Sequence, residues 1–228
     1  MMNAKRYTVN AAVCLLCLAL LSCGGEPPKK EGSCDVEGSA LVAPGKEFYG
    51  MGVLEDNKWR FKEEAKSLRE KLGWKDTHRI TGTTVAELKT QLAKDKYKVL
   101  YYLGHGEKTQ DEFTHLRMDK QDFKVTDIPA KRDFYFVYLC CCHSTANGFD
   151  KWARAFSNNN GKATEYGYMG FSGLISVPKA RGFSRRFFER CDGTTSVKKA
   201  INDAAWDPTA GPAPALKGDA EGNDDFTI

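Results

Sequence analysis

Tyr102-Leu103-Gly104-His105-Gly106-Glu107 and Leu139-Cys140-Cys141-Cys142-His143-Ser144 are the two stretches on which the reading of this chain turns. Each closes or follows a run of apolar, aromatic and β-branched residues, 99–103 and 134–139. Such runs read as strands buried on both faces of a parallel sheet. In open α/β sheets, chemistry collects where strands end and loops begin. A histidine beyond one strand and a cysteine beyond another therefore put a base and a nucleophile on one rim. A thiol attacks carbonyl carbon as the thiolate and is mostly protonated at neutral pH, so an imidazole beside it is a useful partner.

Around these strands the pattern alternates as βα units do. Residues 48–54 read as a first strand, and Phe61, Ala65, Leu68 and Leu72 recur at helical spacing ahead of Gly73, a C-terminal stop. A short strand is expected at 78–81. Thr84-Val85-Ala86-Glu87 is a capping-box pattern opening a helix with Val85, Leu88 and Leu92 on one face. Strands 97–103 and 134–139 bracket about thirty mostly polar residues, longer than an ordinary connection and hence expected to be functional. Helices are expected at 148–156, 180–191 and 196–206, and a fifth strand at 166–171. The fold predicted is α/β, a three-layer α/β/α sandwich around a mostly parallel central sheet. It forms one domain over 46–206, followed by a loose tail, 207–228, with 226–228 available as an edge strand.

The 228 residues are 41% hydrophobic and 28% charged, which suits one soluble α/β domain. Lys5 and Arg6 precede an apolar core, 11–21, too short to span a bilayer as a mature helix. Leu20-Leu21-Ser22-Cys23 with Gly24 then resembles the lipobox of bacterial lipoproteins, which implies a signal peptide over 1–22 and acylation at Cys23. Several acyl chains on one residue anchor stably where a single chain binds only marginally. Residues 23–45, with Pro27, Pro28, Lys29 and Lys30, read as the lipidated cysteine and a polar tether. Gly24 is permissive for outer-membrane sorting, so the expected location is the bacterial cell envelope. Loss of Lys5 and Arg6 with the leader reduces the formal charge of +4, a balance too weak to argue for nucleic acid. No glycine-rich phosphate loop occurs either. Of eight cysteines, Cys14 and Cys17 leave with the leader and Cys23 would carry lipid. Cys34 and Cys191 are the one separated pair outside the triplet, a weak disulfide candidate.

The two opening blocks resemble caspase-like (clan CD) cysteine peptidases. The stretch through His105 is similar to their strand-then-Gly-His-Gly block. Cys141-Cys142-His143-Ser144 resembles the Asp-Cys-Cys-His-Ser-Gly nucleophile block of metacaspases. Legumain-like and bacterial CHAT-type peptidases share the His-then-Cys order on the same sandwich, so the resemblance extends over about 48–206. It implies His105 as catalytic histidine and Cys142 as nucleophile. The backbone N–H groups of Gly106 and Cys142 would form an oxyanion hole, typically the largest electrostatic term in acyl transfer. Hydrolysis would pass through a thioester, with His105 protonating the leaving amine. No cofactor and no metal is implied, and Cys140, Ser144 and Ser172 are expected at the substrate pocket. Two positions depart. Metacaspases carry an acid two residues before the nucleophile to receive a basic P1 side chain, and Cys140 stands there instead. Thr145 replaces the usual glycine, which is expected to tighten the turn or narrow the pocket.

Cysteine is among the most buried residue types and strand neighbours point to opposite faces, so Cys140 and Cys141 also read as packing residues. His78 and His115 read as surface residues, and the tryptophans as packing. Two other functions compete. A caspase-like lipoprotein that only binds a peptide or partner has no chemical need for both His105 and Cys142. A redox or metal–thiol protein would rest on the triplet, yet neighbours such as Cys142 and His143 chelate one ion poorly. The reading adopted is a cysteine endopeptidase tethered to the envelope, acting on peptide or protein substrates. Its anchor is directly testable: an alkyne fatty acid fed to expressing bacteria should label the wild-type chain and not Cys23→Ala. Equal labelling of the two would remove the anchor.

Overall fold

Which residues can sit in the middle of a sheet is decided by whether both faces can be buried. In the computed structural model, residues 39–45, 76–80, 83–94, 96–130, 132–159, 162–163, 166–205, 213–218, 221, 224 and 226–228 are described. The chain begins with β1 (Ser39–Pro44), β2 (Asp76–Arg79), α1 (Val85–Leu92) and β3 (Tyr97–Leu103). Three short strands follow: β4 (His105–Thr109), β5 (Glu112–Met118) and β6 (Gln121–Lys124). Then come β7 (Phe136–Cys140), α2 (Phe149–Ser157), β8 (Asn158–Asn159), β9 (Lys162–Ala163) and β10 (Gly167–Gly170). Helices α3 (Val177–Arg190) and α4 (Val197–Ala205) and strand β11 (Ala215–Gly218) complete it.

Six strands form the central sheet in the order β11-β10-β7-β3-β1-β2, all parallel except β11. Alternate residues of β3 and β7 feed two separate cores. Val99, Tyr101, Phe136 and Tyr138 meet α3 and α4 through Phe187, Phe188 and Val197. Leu100, Tyr102, Val137 and Leu139 meet α1 and α2 through Leu88, Leu92, Trp152 and Phe156. This is the three-layer α/β/α sandwich. The order reverses beside β1: β2 lies outside it, and the chain returns through α1 to β3 on its other side. Crevices beyond the carboxyl ends of strands open at such reversals. Helix α1 starts as its capping pattern requires, with the Thr84 hydroxyl accepting from Glu87 N at 3.2 Å. No helix among the described residues is long and apolar enough to cross a membrane.

The structure corrects the sequence reading at three places. First, Ser39–Pro44 is an interior strand and not tether, with Ala40, Leu41, Val42 and Ala43 wholly buried between β2 and β3. The tether read as 23–45 therefore cannot run past 38, while the strand expected at 48–54 and the helix over 61–72 lie outside the described residues. Second, the polar stretch after β3 is not a loop but an antiparallel sheet in the order β4-β5-β6. Two-residue turns at Gln110-Asp111 and Asp119-Lys120 join its strands, with φ of 50°, 66°, 47° and 64°, the left-handed conformation that such hairpins need. A bulge matches Glu107 to His115 and Lys108 to Phe113, leaving Thr114 over. Phe113 and Leu116, three apart, consequently both face inward with Met118 and Phe123. Third, the tail is not loose where it is described. Its edge strand is β11 rather than 226–228, and Phe226 and Ile228 enter the core, with Phe226 stacked on Tyr135 at 4.4 Å.

Cys191 is buried at the end of α3, its Sγ donating to Phe187 O at 3.4 Å, and Cys34 lies outside the described residues. Trp152, on α2, packs against the inner face of the small sheet: it is 1% exposed, with Phe113 at 4.8 Å and Phe123 at 6.2 Å. Trp152→Ala should cost about 3–5 kcal/mol, read as a lower urea midpoint at unchanged slope. A loss below about 1 kcal/mol would mean that the small sheet is not held by this side chain.

Candidate active site

Parallel β3 and β7 are paired with Leu103 opposite Cys140. The ladder's last contact beyond that pair is Gly104 N to Cys140 O at 3.4 Å, after which the chain turns off into β4. His105 and Cys142 each stand two residues beyond the Leu103–Cys140 pair, past the ends of adjacent strands and at the same end of the sheet. His105 is exposed as the first residue of β4, and Cys142 is half-buried in the turn after β7. Gly106 lies directly against that turn. A Cβ there would overlap the Cys142 carbonyl oxygen and come within 2.7 Å of Cys141 Sγ. Only glycine lets the two blocks approach so closely.

The turn itself is stitched to the chain leaving β10. His143 N donates to Gly173 O at 3.0 Å, Thr145 N to Phe171 O at 3.2 Å, and the Thr145 hydroxyl to Gly170 O at 3.3 Å. Thr145 thus ties the turn to the end of β10. The Ser144 hydroxyl accepts from Phe171 N at 3.0 Å and reaches Leu139 O at 2.8 Å and Cys141 O at 3.0 Å. His143 takes a left-handed φ of 60°, and its buried Nδ1 has no hydrogen-bond partner among the described residues. The β4–β5 hairpin is fastened to the same segment, with Phe113 N donating to Asn147 O at 2.8 Å and Lys151 paired with Glu112. At its tip, Asp111 is held below the usual carboxylate range, chiefly by its hydrogen bond to Lys108, with a smaller contribution from His143.

The three cysteines point three ways. Cys140 faces α3, with Sγ 3.4 Å from the Ser184 hydroxyl. Cys141 faces the other core, where burial pushes its thiol well above the ordinary range. Cys142 alone reaches the rim, and its Sγ receives Ile175 N at 3.4 Å and lies 3.6 Å from Ile175 O. The substrate-pocket assignment of Cys140 and Ser144 therefore does not hold. Both are 0% exposed, Cys140 because β7 keeps it in the ladder and Ser144 because its hydroxyl is spent inside the turn. Ser172 is exposed, in the segment with Gly173 and Leu174, the latter 79% exposed. Ile175 was not legible beforehand because it acts through its main chain. Gly170 likewise matters only through the fold, where a Cβ would overlap the Ser144 hydroxyl.

No family model matches the chain, and no curated protein sequence matches it. Among solved structures, the chain is similar to the Arg-specific cysteine proteinase gingipain R, with a TM-score of 0.57 and 12% identity over 85% of this chain. A complex of the pro- and mature domains of Porphyromonas gingivalis RgpB gives a TM-score of 0.58, also at 12% identity over 85% of this chain. The chain spans about half of each of these two, 48%. The Saccharomyces cerevisiae separase–securin complex gives 0.52 at 14% identity, over 80% of this chain and 12% of that one. The mixed α/β fold with its mostly parallel sheet is the caspase-like fold of these neighbours, and gingipain R among them is a cysteine proteinase.

Because its thiol is pushed up, Cys141 stays protonated at pH 8 as well as shielded. Iodoacetamide at that pH should modify Cys142 in the native protein and spare Cys140, Cys141 and Cys191, with all four reacting in urea. Peptide mapping that found Cys141 modified first would reverse the assignment of the rim thiol.

Proposed function

We propose that this chain is a cysteine endopeptidase of caspase-like type, with Cys142 as nucleophile and His105 as its proton-transfer partner. The observation that carries the reading is the matched position of the two residues, each two beyond the Leu103–Cys140 pair and joined across the Gly106 contact. The caspase-like fold and the two sequence blocks point the same way. In the reaction, Cys142 Sγ attacks the scissile carbonyl carbon and forms a tetrahedral intermediate. The Gly106 and Cys142 N–H groups stabilise its oxyanion. His105 delivers a proton to the leaving amine, and water then hydrolyses the thioester with His105 as base. The exposed segment of Ser172, Gly173 and Leu174 borders the thiol through His143 and supplies a surface for the substrate.

Arginine specificity belongs to gingipain R and does not transfer on fold alone. Cys140 is uncharged and buried, so the acid that receives a basic P1 side chain in metacaspases has no counterpart at this position. Substrates are peptides or proteins met at the bacterial envelope, where acylated Cys23 holds the enzyme.

A panel of peptidyl acyloxymethyl ketones with different P1 residues, followed by mapping of the modified cysteine, tests chemistry and specificity together. Wild type should be labelled at Cys142. Cys142→Ala should lose cleavage by several orders of magnitude, since the covalent route is gone. Cys141→Ala should lose only about 1–2 kcal/mol of stability and keep its chemistry. Cleavage surviving in a folded Cys142→Ala protein would refute the assignment.

A further inference from the structure

Two tyrosine hydroxyls lie beneath the rim, on the same face of the central sheet. Tyr102 belongs to β3 and Tyr168 to β10, the strands on either side of β7. Both side chains are 0% exposed in the core shared with α1 and α2. Phenylalanine would fill such a core without the cost of burying a hydroxyl, so the destination of each hydroxyl matters. Tyr102 reaches the carbonyl oxygens of His105 and Arg117, each at 3.3 Å. Its ring end takes the space that a Cβ at Gly104 would need, so Gly104 and Tyr102 together shape the exit from β3. Tyr168 donates to Ser144 O at 2.8 Å, and burial raises its hydroxyl well above the ordinary range, so it remains a donor at neutral pH. One hydroxyl therefore grips the residue that carries the imidazole. The other grips the turn two residues past the thiol.

We propose that Tyr102 and Tyr168 are positioning residues that fix the His105 imidazole and the Cys142 thiol relative to each other, by tying both rim segments to rigid strands of the sheet. The proposal rests on the peptidase reading above. Neither tyrosine touches substrate in it. Each acts through the main chain of a neighbour, and loops anchored on strands hold reacting groups more closely than loops alone. A misplacement of about 1 Å can cost on the order of a hundredfold in rate, so loss of one anchor should show in turnover and not in binding.

The test uses the full chain and the variants Tyr102→Phe and Tyr168→Phe, which keep the ring and remove only the hydroxyl. Tyr138→Phe serves as control, since its hydroxyl lies on the opposite face and accepts from Ser184 at 3.1 Å. With the best substrate from the inhibitor panel, kcat should fall roughly tenfold in each test variant while KM stays within about twofold, and the control should match wild type. The pH profile of Cys142 alkylation by iodoacetamide is measured alongside, with His105→Ala as reference. Tyr102→Phe should move the profile toward that of His105→Ala. Wild-type kcat and an unmoved profile in either folded variant would overturn the proposal, as would an equal loss in Tyr138→Phe. If wild type cleaves no peptide, the peptidase reading fails by itself, and the alkylation profiles still decide whether the tyrosines set the geometry of the pair.

Discussion

The register between β3 and β7 is the constraint on which the rim depends. With Leu103 opposite Cys140, two chains leave the sheet at equal depth, one toward His105 and one toward Cys142. A slip of one residue would shift that depth and turn every side chain of the slipped strand to the wrong face. The faces are too different to exchange. Tyr101 and Tyr138 pack edge-on or tilted against Phe187 and Phe188 on one side, while Tyr102 and Leu139 share the core of Trp152 on the other. Burial on both sides thus specifies hydrogen-bond pairing in the middle, and the pairing specifies the approach of the two loops.

The small antiparallel sheet adds what the central sheet cannot supply. On leaving β3 the chain could have wandered as a loop. Instead it runs straight into β4, so His105 begins a strand that is paired with β5 and packed through Phe113 and Leu116 onto Trp152. The hairpin then returns to the turn that carries Cys142, through Asn147 and Lys151. Both rim residues are consequently braced from two directions, a condition for holding an imidazole near a thiol without a bound substrate to organise them.

Much of this was legible in the residues themselves. Strands 97–103 and 136–140 announced themselves by the apolar runs 99–103 and 134–139, and Thr84 with Glu87 marked a helix start that the hydrogen bond bears out. What escaped did so for identifiable physical reasons. Ser39 to Ala43 hold only two larger apolar residues, Leu41 and Val42, before Pro44 and Gly45, so a buried strand looked like linker. The bulge at Thr114 breaks the two-residue alternation by which β5 would have been read, and its turns use Gln, Asp and Lys where Asn-Gly would have been the usual signal. Cys140 looked like a rim residue because the apolar run ends at Leu139, but the ladder continues one residue further. The partner of Cys142 Sγ at Ile175 is backbone, which no side-chain pattern encodes.

The placement of β1 bears on how the chain can be damaged. It is the earliest strand described, yet it lies inside the sheet, with β2 on one edge and β3 on the other. In many domains a cut near the start trims a dispensable end. A nick within 39–44 would here act as a wedge, stripping partners from both neighbours and exposing the unpaired edge of the strand that leads to His105. Such raw edges recruit other chains. Proteolysis within β1 would therefore be expressed as aggregation of the whole domain, well before any change at the rim itself.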